Sequence, residues 1–253
     1  MKNTSAVKRL VNILKQFTLD DIRFVEEKVD EQFKALQYLY NNLDTDSRKY
    51  FLPLIIANAL VSYQLNTTGE QYWWEFAKYF SSKEINQENF LQLFRDFLLN
   101  SKGNKRYLNV KIRRLEKFSK HIETLKEREQ YYYNNMSKLN DFLARVMNQK
   151  REAKTIVFAV KMFGYGARIK FNKFVLFPFD VAIPLDSRIQ KLTSKLTDED
   201  PIEFWFHISR ETNIPPLHID SLVWTAMGKT TSNFPHIGKL ISLKKFVISL
   251  LND

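Results

Sequence analysis

Two residues of this 253-residue chain combine the type and the setting needed for nucleophilic chemistry. Lys154 opens an apolar-periodic run in which Ile156, Val157, Val160, Met162 and Phe163 recur at helical spacings. Asp186 follows Pro184-Leu185 and precedes Ser187-Arg188-Ile189, the place of an aspartate that caps a new helix. Each therefore stands at a predicted helix N-terminus. The 32 residues separating them leave room for one helix and a return loop, and we expect the two side chains to share one site. An ammonium half-buried at a helix N-terminus is disfavoured by both desolvation and the dipole, which makes the amine a better nucleophile. Taken singly, both signals are weak, since a lysine is ordinarily solvated and an aspartate at a helix start ordinarily only caps it.

Composition narrows the chemistry. Cysteine is absent, which removes disulfides, thiol nucleophiles, iron–sulfur clusters and cysteine-based zinc sites. The four histidines, His121, His207, His218 and His236, show no metal-binding spacing, so a metal-free mechanism is expected. A net charge of +11 and a pI near 9.6 favour a polyanionic partner: DNA, RNA or an anionic membrane surface. The basic residues are dispersed and no lipid-anchor motif appears, which argues against the membrane. The longest apolar stretch, FLPLIIANALV from Phe51, is broken by Pro53 and Asn58 and falls far short of a span. The N-terminal MKNTSAVKRLVNILKQF has no signal-peptide apolar block, so a soluble cytoplasmic protein is expected. Abundant Lys and Glu without Cys fit a heat-adapted source.

The elements that must position Lys154 and Asp186 read as helical almost everywhere. Leu10, Val11 and Leu14 mark a first apolar face, and Thr18-Leu-Asp-Asp21 a capping box opening a second helix. Phe33, Leu36 and Leu39-Tyr40 suggest a third, and Tyr50 to Leu65 a buried central helix. After the turn Asn66-Thr-Thr-Gly69 come the aromatic run EQYWWEFAKYF and an amphipathic run from Gln87 to Leu99. A basic loop, Ser101 to Arg106, leads into a charged helix from Lys111 to Lys126 whose charges should mostly face solvent. Ser137 is the expected cap of a helix ending at Asn148-Gln149, with the Lys154 helix directly behind it. Helix, tight basic turn, helix is a geometry that grips a phosphate with backbone N–H groups, aided by Lys150 and Arg151. Phe171 to Ile183 has strand-like composition, but Pro178 and Pro184 argue for an extended loop. After Asp186 we expect a short helix, then helices from Pro201 to Thr212, from Pro216 to about Gly228, and from about Gly238 to Leu251. An all-α fold of two interlocked helical lobes with a cleft follows.

The blocks DEQFKAL, NALVSYQL with GEQYWWEFAKYF, AKTIVFAVKM, PFDVAIPLDSRI and IPPLHIDSLVW resemble, in order, those of the archaeal 8-oxoguanine DNA glycosylases. These form a divergent branch of the helix-hairpin-helix glycosylase superfamily. The resemblance covers nearly the whole chain, more weakly between about Asn100 and Ser137 and beyond Gly228. It implies a single glycosylase unit over residues 1–253 made of two helical subdomains with a DNA-binding cleft. The hairpin element would lie at about 137–168 and the catalytic aspartate loop at about 171–188. It further implies a bifunctional enzyme, likewise free of cofactors, that excises 8-oxoguanine and then nicks the strand.

By that similarity Lys154 falls on the Schiff-base lysine and Asp186 on the catalytic aspartate. Phe158 and Trp224 would sandwich the flipped base, while Gln32, Trp73 and Asp220 would make polar contacts to its edge. The Trp73-Trp74 doublet leaves open which indole faces the pocket. Lys150, Arg151, Lys161 and Arg188 are candidates for phosphate contacts. Two departures from the wider superfamily stand out: Asn148 to Ala153 contains no glycine, and the lysine–aspartate spacing is longer. The residues also fit the physics of base extrusion, which needs aromatic faces and polar edges around one nucleotide. Phe158 lies one turn after Lys154, and Trp224 one turn after Asp220. The expected partner is damaged DNA carrying 8-oxoguanine, double- or single-stranded, bound by a monomer. A glycosylase for another damaged base and a non-catalytic helical DNA-binding module remain as alternatives.

Overall fold

The computed structural model describes residues 3–228 and 238–252; His236 lies outside them. In chain order the helices are α1 (Thr4–Leu14), α2 (Leu19–Phe24), α3 (Glu31–Asn42), α4 (Phe51–Val61), α5 (Gly69–Phe80), α6 (Phe90–Asn100), α7 (Leu108–Ser119), α8 (Ile122–Glu127), α9 (Glu129–Asn134), α10 (Met136–Met147), α11 (Lys154–Phe171), α12 (Ser187–Leu196), α13 (Pro201–Thr212), α14 (Pro216–Met227) and α15 (Gly238–Asn252). A π-helical turn, Val25–Val29, extends α2, and a 3-10 turn, Ser47–Tyr50, precedes α4. No strand occurs among the described residues. The chain divides into two compact units: residues 31–175, and the two ends, up to 30 and from 176 on.

The unit of residues 31–175 is built on α4. All of Phe51–Val61 is buried, including Pro53 and Asn58, so this helix has no solvent face. The long helix α11 lies against it, α3 and α10 flank α11, and α7 also packs on α4. Close approach of α11 to α4 depends on Gly166: a Cβ there would stand 2.3 Å from Ile55 Cδ1 and 3.0 Å from Leu52 Cδ2. A buried helix end must find donors for its last carbonyls within the protein. Here Arg114 Nε donates to Leu60 O (3.0 Å), Asn104 Nδ2 to Val61 O (3.1 Å) and Lys111 Nζ to Tyr63 O (2.8 Å). The basic loop that carries Asn104 is fixed in turn by Glu75, which accepts from Lys102 N (2.6 Å), Gly103 N (3.0 Å) and Ser101 Oγ (3.0 Å).

The unit made by the chain ends has its own core, with Leu10 and Leu14 of α1, Ile22 of α2 and Val25 of the π turn. These join Ile189, Leu192, Trp205, Leu222, Leu243 and Val247 from the C-terminal helices. Its helices start on the signals seen in the sequence. Thr18 and Asp21 form the capping box, Asp200 caps α13 ahead of Pro201, and α14 opens on Pro216.

Several local expectations are corrected. Asn135 rather than Ser137 precedes α10, which begins at Met136. The charged segment after Lys111 is two helices, broken at Lys120-His121, not one. Most of its charges do reach solvent, as expected, but Lys111 is wholly buried and Arg114 half-buried. The central helix stops at Val61, because Ser62 leaves helical geometry and Gln64 takes positive φ (51°). The amphipathic run expected from Gln87 starts only at Phe90.

Two measurements test this packing. Gly166→Ala is expected to lower the unfolding free energy by about 1–3 kcal/mol, as overpacking of a filled core does, read from the urea midpoint. Burial, with a smaller contribution from the nearby Arg106 charge, lowers the Lys111 ammonium from 10.5 to about 8. A folded value below the unfolded one means that the unfolded chain binds the extra proton between those limits. The stability of the wild type relative to Lys111→Met should therefore rise from pH 8 to pH 10.5, and a flat difference across that window would contradict the assignment.

Candidate functional site

The Lys154 helix begins where it does because the helix before it is stopped sharply. Asn148 adopts left-handed geometry (φ 51°) after α10, and Gln149 N–H bonds back to Ala144 O at 2.9 Å. Asparagine tolerates this conformation better than other residues with a side chain, so the turn forms without glycine. Ala153 then breaks into extended backbone, and its carbonyl accepts from Ile156 N (2.8 Å) and Val157 N (3.1 Å). Lys154 is the first residue of α11, as expected. Its side chain is exposed, however, not half-buried. The amine thus stands at a helix terminus, as expected, and is not desolvated by the chain around it.

One turn further on, the half-buried Phe158 meets Trp73 edge-on, with centroids 6.1 Å apart and planes at 72°. Trp73 is wholly buried. Trp74 instead donates from Nε1 to Glu31 Oε2 at 2.9 Å, so the indole of the doublet that touches Phe158 is Trp73. Gln32, buried beside Glu31, sits at the start of α3, which packs on both α5 and α11.

The four basic candidates fare differently. Lys150 is exposed in the turn. Arg151 also lies in the turn, but its Nε is 2.8 Å from Asp141 Oδ1, so its charge is already partnered. Lys161 is buried in mid-helix with its ammonium 5.6 Å from the Tyr165 ring centre, so the phosphate contact expected of it is corrected: it is not on the surface. Arg188 stacks its guanidinium on Trp224, 4.1 Å from the ring centre, a contact that the sequence did not suggest. Beside Lys150 a groove of about 770 Å³ is lined by Arg128, Tyr131, Lys138 and Arg145.

In the other unit, Asp186 caps α12 as predicted. Oδ1 accepts from Arg188 N (3.0 Å) and Ile189 N (2.8 Å). Both bonds fall on one oxygen, so Oδ2 keeps its lone pairs among the described residues. Asp220 is buried on α14, one turn before the half-buried Trp224. The Arg188–Trp224 stack thus joins the start of α12 to the helix carrying Asp220. Residues 172–186 are an irregular loop, as Pro178 and Pro184 led us to expect.

That loop is anchored by a pair with little local signal in the sequence. Phe177 N–H donates to His218 Nε2 at 3.2 Å, and the two rings lie 4.7 Å apart. With Nε2 accepting, the ring proton is on Nδ1, which donates to Glu26 Oε1 at 2.7 Å. Both Glu26 and His218 are completely buried. Glu26 belongs to the π turn, a geometry common at functional sites and without a reliable signal in single sequences. The one hint at His218 is its place in the run from Ile214 to Trp224, whose other polar residues are only Asp220 and Ser221. Among the described residues no group of His, Asp or Glu side chains is placed to hold a metal ion, and no helix is long and apolar enough to cross a membrane.

Known proteins resemble the chain over nearly its whole length. Residues 11–250 match the model of the AGOG family, described as N-glycosylase/DNA lyase. An N-glycosylase/DNA lyase of Methanococcus maripaludis is 44% identical over 96% of this chain and 100% of the relative. That of Thermococcus kodakarensis is 41% identical, over 98% of this chain and 94% of the relative. Among solved structures, 8-oxoguanosine-complexed Pa-AGOG, the 8-oxoguanine DNA glycosylase from Pyrobaculum aerophilum, superposes with a TM-score of 0.80. It is 26% identical and is matched over 96% of both chains.

Removing the imidazole tests the anchor. His218→Leu removes the buried hydrogen bonds to Glu26 and from Phe177 N–H together, and should cost about 3–5 kcal/mol in unfolding free energy. Glu26→Gln, which can still accept the Nδ1 proton, should cost less. Equal losses from the two variants would show that the ionised carboxylate, rather than the hydrogen bond, is what matters.

Proposed function

Because the chain belongs to the AGOG family of N-glycosylase/DNA lyases, we propose that its substrate is 8-oxoguanine in DNA and that Lys154 carries the reaction as a Schiff-base nucleophile. The observation that carries this reading is the place of Lys154: an exposed amine on the first turn of α11, one turn before an aromatic ring already set against Trp73. A base stacked in a duplex shields its sugar carbon, so the nucleotide is first extruded. Phe158 and Trp224 then stack on its two faces, and Gln32, Trp73 and Asp220 bond its polar edge.

In the first step the neutral amine of Lys154 attacks C1′ as the C1′–N9 bond breaks, and the base leaves as an anion that takes up, by way of Asp186, the proton the amine sheds. Positive charge builds on the sugar as that bond lengthens. Asp186 stabilises it electrostatically and accepts the proton that the attacking amine sheds. The two carboxylate oxygens divide these roles, since Oδ1 is committed to the helix cap, which fixes the group, and Oδ2 is available. Ring opening gives the imine. Loss of a C2′ proton then expels the 3′ phosphate by β-elimination, and water hydrolyses the imine to release the lysine. Lys150 is the basic candidate left exposed to contact the backbone. The enzyme so described works as a monomer inside the cell.

Borohydride trapping on a duplex with a single 8-oxoguanine tests the reading. The wild type should form a covalent protein–DNA band and Lys154→Ala none. Asp186→Asn keeps an Oδ1 acceptor for the cap, so its fold should be intact while trapping slows by about 10²–10³-fold. A band from Lys154→Ala would move the nucleophile elsewhere. Equal trapping on a duplex with ordinary guanine would remove the substrate assignment.

A further inference from the structure

We infer that Arg114 is a positioning residue for the reaction, holding the turn and first helical residues that flank Lys154. The inference rests on the reading of Lys154 as the nucleophile. Arg114 projects from α7, and its guanidinium makes three bonds in three directions. Nε donates to Leu60 O at the end of α4 (3.0 Å). Nη2 donates to Gln149 Oε1 (2.9 Å) and to Thr155 Oγ1 (2.8 Å). The Thr155 hydroxyl in turn donates to Gln149 Oε1 at 3.3 Å, closing a ring of three side chains. Tyr63 covers the group, its ring centre 5.8 Å from Cζ.

These bonds join three places around the lysine. Gln149 belongs to the turn before α11, and Thr155 is the residue after Lys154. Leu60 lies in the wholly buried helix α4. One planar cation thus ties both flanks of the lysine to the most deeply buried helix of its unit. Lys154 itself is exposed, and its own side chain has no bond that fixes it among the described residues. Its backbone must be held by its neighbours. In-line attack on a sugar carbon tolerates little error, since a misplacement of about 1 Å costs on the order of 10²-fold in rate. A lysine at position 114 keeps the charge but lacks the rigid fork that spans carbonyl, amide and hydroxyl together.

The experiment uses the full chain with Arg114→Lys, Thr155→Val and the double variant. Three quantities are read: thermal melting, affinity for a duplex with an uncleavable abasic analogue, and the single-turnover rate of borohydride trapping at saturating DNA. Expected are unchanged DNA affinity and a trapping rate lower by about ten-fold or more for Arg114→Lys. A smaller loss is expected for Thr155→Val, and the double variant should be no slower than Arg114→Lys, because the threonine acts through the arginine. A merely structural role would lower the melting temperature and leave the saturated rate of the folded fraction untouched, which overturns the inference. Should Arg114→Lys not fold, Thr155→Val decides alone, and a wild-type rate from it overturns the inference. A wild type that does not trap removes the Lys154 reading and this inference with it. A trapping wild type with equally fast variants removes only this one.

Discussion

The contact on which the larger unit depends is the approach of α11 to α4 at Gly166. A Cβ there would press on the ends of the Ile55 and Leu52 side chains, which fill the space left by the missing methyl group between the two helices. Burying α4 on every side makes that approach strong, since the whole apolar length of the helix is removed from water. The same burial strands its C-terminus, where the last carbonyls cannot reach solvent. Arg114, Asn104 and Lys111 satisfy that end, and all three come from the loop and helix between residues 104 and 114. Core packing and the geometry around the lysine are therefore one problem, solved by one set of polar side chains.

The way those cations are satisfied bears on the surface. Lys111 is held by the Tyr63 carbonyl and the Asn104 amide oxygen, not by a carboxylate. Arg114 likewise bonds a carbonyl, an amide and a hydroxyl. Neutral partners satisfy hydrogen bonds without cancelling charge, so these groups still contribute to the positive field of a chain carrying +11. Where a carboxylate does pair with a cation near the turn, as Asp141 does with Arg151, that contribution is lost locally.

Much of this was legible in the sequence where the signal is local. The Asp186 cap, the start of α11, the Thr18 box and the proline-led starts of α13 and α14 are each written in a few adjacent residues, because capping is a short-range interaction. What escaped depends on partners distant along the chain. Glu26 and His218 are 192 positions apart, and Arg114 finds Leu60 across 54. No periodicity reveals such pairs. Lys111 and Lys161 misled for a related reason: a lysine in a charged or mixed run looks solvated until the fold shows what covers it. The choice between Trp73 and Trp74 was undecidable locally as well, since adjacent residues on a helix differ only in which neighbour they face.

The order in which the two units can form differs, because residues 31–175 are continuous whereas the other unit is assembled from both chain ends. During vectorial synthesis the continuous unit emerges with all its core partners and can collapse on the ribosome. Helix α1 leaves before that unit, yet it packs against α12, α13 and α15, which leave after it. Its apolar face stays unpartnered until they emerge, and closing the intervening loop costs entropy that grows only slowly with its length. Once residues 31–175 have folded, that loop is already compact, so the long wait imposes little thermodynamic cost when the two ends finally meet.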